Sequence, residues 1–253
     1  MRPETIDQLD AYWRSFFALD PRELARDRVL VREHPEQLQT YAGAYTIEHP
    51  QGYVMFVPPQ WVDRASAATR DIDPPSLFEN ESIASVYGDA VDIVIGATSV
   101  AYADDTDVRP VDTMNARLLT QDDAPALERL RDACPPLEWD HGGNIYVVQH
   151  PTCAVFVDGE IAAAASWDYQ DATVDGYPEE IRIRHVGVVA HPARRGRGYA
   201  TAVAGAITQF GVAEGAIMQW QTLFENKPSF AIGQRIGYQQ RYRTISVRLR
   251  AVS

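Results

Sequence analysis

The sequence predicts a mixed α/β chain: a smaller α/β domain over residues 1–110, then an α+β layered domain over 111–253 whose mixed sheet carries helices on both faces. Three observations predict it. The 253 residues and an apolar content of 45% suit one large or two ordinary domains with sizeable cores. Short apolar runs of strand length alternate with segments whose apolar residues recur every three to four positions. Between residues 103 and 115 the composition turns to Asp and Thr with one Pro, which marks the boundary near 110.

The elements follow in order. Ile6, Leu9, Trp13 and Phe16 share one helical face. Arg28–Arg32 is a strand, and Ala42–Glu48 and Tyr53–Val57 form a hairpin across His49-Pro50-Gln51-Gly52. Gln60–Arg70 and Pro75–Tyr87 are polar helical stretches, and Val91–Ile95 reads as a buried strand. After the boundary Arg117–Leu119 is a short strand. Thr120 and Asp123 then give a capping box, with Pro125 in the first turn of a helix whose stripe is Leu127, Leu130 and Cys134. Pro135-Pro136 stops that helix. Thr152–Val157 and Ile161–Tyr169 pair across Asp158-Gly159, a strong hairpin signal. Ile181–Ala190 is a strand, Gly198 opens a helix with Val203, Ile207 and Phe210 on one face, and Ile217–Leu223 is the next strand. Pro228–Ile236 is a short helix closed by Gly237. Thr244–Arg250 alternates with Ile245, Val247 and Leu249 inward, and as an edge strand it would pair between subunits, so monomer and homodimer both stay open.

The formal net charge of −12 repels phosphates and argues against nucleic acid as a general partner. Of the 23 Lys and Arg residues only Lys227 is lysine. Acidity with almost no lysine fits a salt-adapted, halophilic proteome and equally a GC-rich genome. Cys134 and Cys153 form neither a metal spacing nor a disulfide framework, and no metal site is expected. The first ten residues lack a signal-peptide apolar region, and no apolar run approaches a membrane span, so the expectation is a cytoplasmic protein with no membrane partner.

The chemistry is concentrated between Val186 and Ala200: a strand, a turn rich in Arg and Gly, then a helix. Glycines let backbone N–H groups converge, and a helix N-terminus adds about half a positive charge. Arg194, Arg195 and Arg197 concentrate cations in an acidic chain, so the turn reads as a phosphate or pyrophosphate site. A dinucleotide fingerprint fails because Thr201 occupies its third small-residue position, and a Walker loop fails because the lone lysine precedes Pro228.

Arg195-x-x-Gly198-x-Ala200, preceded by His191-Pro192, resembles the Q/R-x-x-G-x-G/A motif of the GCN5-related N-acetyltransferase (GNAT) superfamily. Asn226-x-x-Ser229 followed by Gly237-Tyr238 is similar to its later segment, and the order of elements over 116–250 matches. Glu138-Trp139-x-His141 adds a likeness to two-domain members of the superfamily. The resemblance implies a GNAT-like fold for 111–253 and, from a loosely shared hairpin-then-helix plan, a degenerate GNAT-like half for 1–110. It implies acetyl-CoA as cosubstrate and a small-molecule or peptide amine as acceptor. The pyrophosphate would lie on Arg195, Gly196, Arg197, Gly198, Tyr199, Ala200 and Thr201. The pantetheine arm would pair along Val188 and Ala190, and the thioester would face the N–H of Val189 or Ala190. Asn226, with Ser229, would touch the pantetheine, or Asn226 caps the helix.

Three acid–base positions of the superfamily hold unsuited residues here: Arg184, Gln221 and Gly233. His185 is a candidate proton carrier or a core histidine. Glu138 is a candidate base acting through water, a group for a cationic acceptor, or part of a solvated loop with Asp140 and His141. The aromatics of the first half read as core or as a wall over the acceptor cleft. The activity implied is acetyl transfer to a primary amine; the alternative is a non-catalytic acyl-CoA-binding or regulatory module.

Overall fold

The computed structural model describes residues 1–142, 145, 150–169 and 182–250. By contact the chain falls into two units interleaved along the sequence. The first comprises Ile6–Val100, Thr222–Lys227 and Gln240–Ser253; the second comprises Met1–Thr5, Ala101–Gln221 and Pro228–Gln239. The composition shift near 110 therefore falls ten residues past Val100, and the last strand returns to the first unit.

In the first unit the helix α1 (Pro3–Phe17) buries Leu9, Tyr12, Trp13 and Phe17, while Ile6 and Phe16 of the expected face are only half-buried, so the inward stripe is turned toward Tyr12 and Phe17. Strands β1 (Val29–Glu33), β2 (Gly43–His49) and β3 (Gly52–Val57) follow, then short helices α2 (Val62–Ala68) and α3 (Asn80–Tyr87) and the strand β4 (Val91–Ala103). The strand order is β1-β3-β2-β10-β4, where β10 is Gln239–Leu249. The hairpin β2–β3 is antiparallel, β1 lies parallel to β3, and β10 pairs antiparallel with β2 from Arg243↔Glu48 to Arg248↔Gly43. Because β10 lies between β2 and β4, the expectation of an edge strand there is overturned. Ile245, Val247 and Leu249 are buried, as their alternation predicts.

Two readings of single elements need correction. Val91–Ile95 is not a buried strand: β4 is 13 residues long, and Ile93 and Ile95 stand 49% and 36% exposed, while burial begins at Thr98. Pro136 does not merely stop a helix. It opens a short helix, α5 (Pro136–His141), because a Pro at the first helical position lacks only an N–H that would be unpaired anyway.

The second unit runs through β5 (Arg117–Leu118), α4 (Ala124–Ala133), α5, β6 (Thr152–Val157), β7 (Glu160–Tyr169), β8 (Ile183–Ala190), α6 (Tyr199–Ala213), β9 (Ile217–Leu223) and α7 (Lys227–Ile236). Its strand order is β9-β8-β7-β6-β5, with β8–β9 parallel and β7–β8, β6–β7 and β5–β6 antiparallel. The α4 entry is braced as its capping box predicts, the Asp123 carboxylate accepting from the Thr120 N–H at 2.9 Å. At the β6–β7 turn Asp158 and Gly159 have φ of 54° and 81°, the paired positive angles of a type I′ hairpin.

Helices cover both faces of this sheet. On one, Ala202, Val203 and Ile207 of α6 pack on Ala163, Ala165, Trp167, Val186, Met218 and Trp220. On the other, Leu127 and Leu130 of α4 pack on Ala154, Ala164 and Val189. Ala162–Ala165 are all fully buried, and their small side chains let both layers approach closely. Full burial of Leu130 or Ile207 contributes about 1.5–3 kcal/mol each.

Candidate functional site

The site is built where β8 parts from β9. Parallel pairing covers Ile183↔Ile217, Arg184↔Met218 and His185↔Gln219. Beyond that rung, Val186 to Ala190 stay paired to β7 alone among the described residues, down to Ala163↔Ala190. One edge of β8 is thereby left with backbone groups available to an extended ligand. Val188 and Ala190 are half-buried against the α6 side, whereas Val189 is buried on the α4 side.

The turn after β8 is shaped by its own sequence. Pro192–Arg194 forms a single 3-10 turn, and the His191 ring accepts from the Ala193 N–H at 3.2 Å. Gly196 and Gly198 have φ of 76° and 85°, in the left-handed region that favours glycine. Gly198 is the N-cap of the 15-residue α6, with no side chain to bond the first turn. The N–H groups at Tyr199, Ala200 and Thr201 therefore face outward at the positive end of a long helix. A Cβ built on Gly196 meets nothing within 4 Å. At Gly198 such a Cβ would stand 3.2 Å from Met114 Cε, so the open space lies beside Gly196.

Arg195 and Arg197 are exposed on this loop, and Arg194 reaches Asp158 at 3.7 Å. Arg195 donates through Nε to the Ala190 carbonyl at 3.4 Å and pairs through Nη2 with the Glu138 carboxylate. Glu138 is thus on α5, brought to the anion loop; sequence separation of 57 residues hid this partner. Asp140 is exposed on the same helix. The side chain of His141 lies outside the described residues.

His185 stands on the last paired rung of β8, between Asp168 of β7 and Gln219 of β9. Strand alternation puts it on the α4 face with Val189. The same face of β9 carries Gln219, whose Nε2 donates to the Tyr102 hydroxyl at 3.0 Å. Neither Gln219 nor Tyr102 was singled out by sequence reasoning; a polar residue within the apolar run Ile217–Leu223 was the available signal. By contact Asn226 belongs to the first unit and Ser229, on α7, to the second.

The three positions that depart from the superfamily pattern have structural roles or surroundings of their own. Arg184 is buried with its guanidinium 5.0 Å from the Trp167 ring centroid. A Cβ on Gly233 would stand 2.8 Å from Trp220 Cδ1, so α7 can seat on Trp220 only through a glycine. Gln221 is exposed on β9. Tyr238 is buried with its hydroxyl 2.7 Å from that of Thr208, and burial pushes its ionisation far above the ordinary tyrosine range. Cys134 and Cys153 are buried thiols, each pushed up by burial, Cys153 to about 11. Among the described residues no group of His, Cys, Asp or Glu is placed to hold a metal ion, and no helix is long and apolar enough to cross a membrane.

Comparison with curated proteins gives no match. Among solved structures the chain is similar to an acetyltransferase of the GNAT family from Colwellia psychrerythraea, 14% identical over 78% of this chain and 76% of that one, with a TM-score of 0.50. A GCN5-related N-acetyltransferase from Kribbella flavida is 14% identical over 96% of both chains, TM-score 0.49. A GNAT-family protein from Novosphingobium aromaticivorans is 21% identical over 61% of this chain, which spans 65% of that one, TM-score 0.47. At 14% identity the likeness to the Colwellia psychrerythraea protein is one of fold alone. The model of the acetyltransferase (GNAT) family matches residues 119–238, from the end of β5 to the close of α7. Residues 119–238, a little under half of the chain, are thus a GNAT acetyltransferase domain.

Proposed function

We propose that the second unit transfers an acetyl group from acetyl-CoA to a primary amine of a small molecule or peptide in the cytoplasm. The observation that carries the reading is the unpaired edge of β8 running into a glycine-capped helix start. The residues present fit a coenzyme A. The N–H groups from Gly196 to Thr201 and the cations of Arg195 and Arg197 match a pyrophosphate. The Val188 and Ala190 backbone matches the amides of a pantetheine arm, with Ser229 of α7 as a further contact. The N–H of Val189 or Ala190 would face the thioester oxygen, where negative charge develops.

In the reaction the amine nitrogen forms a bond to the thioester carbon, the carbon–sulfur bond breaks, and the sulfur leaves with the electron pair. The amine attacks in its neutral form and gives up one proton as the amide forms, and His185, on the last rung shared with β9, is the candidate to accept it. The same imidazolium can return the proton to the leaving sulfur. Glu138, ion-paired to Arg195, is assigned to the loop and to a cationic acceptor rather than to proton removal. Orientation in the wedge supplies much of the acceleration.

Replacing Gly198 by Glu puts bulk and negative charge where the pyrophosphate would lie. Calorimetric titration with CoA, at low and at molar salt, is expected to show micromolar binding by the wild type and none by Gly198→Glu, with the fold retained by circular dichroism. Equal affinity in a folded variant would overturn the reading. The second reading, a non-catalytic acyl-CoA-binding module, is favoured by the structural surroundings of Arg184 and Gly233. It predicts CoA binding without thiol release across a panel of amines.

A further inference from the structure

One guanidinium joins the anion loop to the end of β8. Arg195 donates through Nε to the Ala190 carbonyl at 3.4 Å and through Nη2 to the Glu138 carboxylate. That carboxylate therefore lies one guanidinium's width from the residue whose N–H would face the thioester. The helix that carries it is seated on the same strand. A Cβ built on Gly142, just past α5, would meet Val189 Cγ1 at 2.2 Å, so the approach of α5 to β8 requires a glycine there. Trp139 of α5 packs on the buried cluster that contains Val189. The helix, the strand and the loop all belong to the second unit. Arg195 and Glu138 are each about half exposed, and an ion pair in that setting is weak and opens readily. A pyrophosphate carries more charge than one carboxylate, meets the planar fork of an arginine on two oxygens, and is held by the helix start as well.

We infer that Glu138 is an exchangeable counter-ion: acyl-CoA draws Arg195 away from it, and the carboxylate so released, beside the thioester, holds a cationic group of the acceptor. The inference rests on the acyl-CoA reading above and narrows its acceptor to an amine that carries a second positive charge. In the free chain Arg195 neutralises Glu138, which then has little attraction for another cation. In the loaded chain one ammonium of the acceptor pairs with Glu138, and a second amine, neutral, attacks the carbonyl carbon. The exchange couples the two sites, so each ligand tightens the other by the same factor. It also gives one substitution two effects of opposite sign. Glu138→Gln removes the internal competitor for Arg195, so CoA binds more tightly, and removes the partner of the ammonium, so the acceptor binds less tightly. A carboxylate that only braced the loop would weaken CoA binding when lost.

The test is calorimetric titration of the full chain with CoA, and of the free and the CoA-saturated chain with 1,4-diaminobutane. In the wild type, saturation with CoA is expected to tighten diaminobutane binding at least about fivefold. In Glu138→Gln, CoA is expected to bind at least about threefold more tightly, the scale of an exposed ion pair, and the gain for diaminobutane to fall below about twofold. Asp140→Asn removes an equal charge from the same helix and leaves the Glu138–Arg195 pair in place. It is expected to keep both quantities within about twofold of the wild type. A folded Glu138→Gln chain that binds CoA no more tightly overturns the inference. So does a gain for diaminobutane that is missing from the wild type or survives in Glu138→Gln, and so does an Asp140→Asn chain that behaves as Glu138→Gln should. A wild type that does not bind CoA overturns the acyl-CoA reading itself, a result distinct from these.

Discussion

Tyr238 shows how burial decides what a side chain can do. It follows Gly237 in one of the segments that resembles the superfamily, and a phenol near a thioester invites the role of acid. Its hydroxyl is instead shut in with Thr208, and burial raises its ionisation far beyond neutral pH, an effect the Thr208 hydrogen bond only partly offsets. Tyr238→Phe is therefore expected to leave acetyl-CoA affinity unchanged between pH 6 and 9 while lowering stability by about 1 kcal/mol, read by chemical denaturation. Loss of affinity in the folded variant would return Tyr238 to the site. Gly196 and Gly198 were legible from sequence for the opposite reason: a turn that needs positive φ states its requirement locally, in the residue itself. Glu138 was only half legible, since its Arg195 partner depends on how α5 is laid on β8.

Elements were legible where the signal was local and misread where it was shared. Asp158-Gly159 and the Thr120–Asp123 box each contain their own geometry, and both formed as read. Pro135-Pro136 follows the end of α4 at Ala133, as read, and Pro136 also opens α5, which the stop signal did not announce. In β4 the apolar run Val91–Ile95 attracted the strand assignment, but the buried part is Thr98–Ala103, whose small and polar residues gave little hydrophobic signal. The end of β4 also contains a pH-sensitive join. Burial alone would raise the carboxyl of Asp104; hydrogen bonds from the Thr106 hydroxyl, the Arg2 N–H, the Thr5 hydroxyl and the Thr106 N–H outweigh it and hold the group well below the ordinary carboxylate range. A carboxyl lowered on folding stabilises above its unfolded value, near pH 4, and that contribution fades as pH falls through the folded value. Asp104→Asn is expected to cost about 1–3 kcal/mol at pH 7, with the deficit against wild type shrinking below about pH 4. Urea melts at pH 7 and pH 3 measure both. An equal deficit at the two pH values would show that the charge has no part in it.

At the scale of the molecule, a net charge of −12 means that folding gathers like charges together. Screening them with salt should raise the melting temperature. Between 0.05 and 1 M KCl a gain of about 1 kcal/mol, or roughly 2–4 °C for a chain of this size, is expected. A fall would mean that ion pairs such as Arg243–Glu48 and Arg241–Asp10 contribute more than the repulsion takes away. The division into units was the least legible feature, because no local property of residues 240–249 says that their partner strand lies near residue 45.

That pairing orders events during synthesis. Ile47 leaves the ribosome about 200 residues before Thr244, the residue it must face. At about 5–20 residues per second the wait is roughly 10–40 seconds. Throughout it the hairpin β2–β3 exists without its neighbour, exposing the apolar surface that Ile245 and Val247 will cover. The first half of the message is thus completed by its end. The nascent chain needs shielding at β2, and a cut at residue 110 would separate a sheet from its own strand.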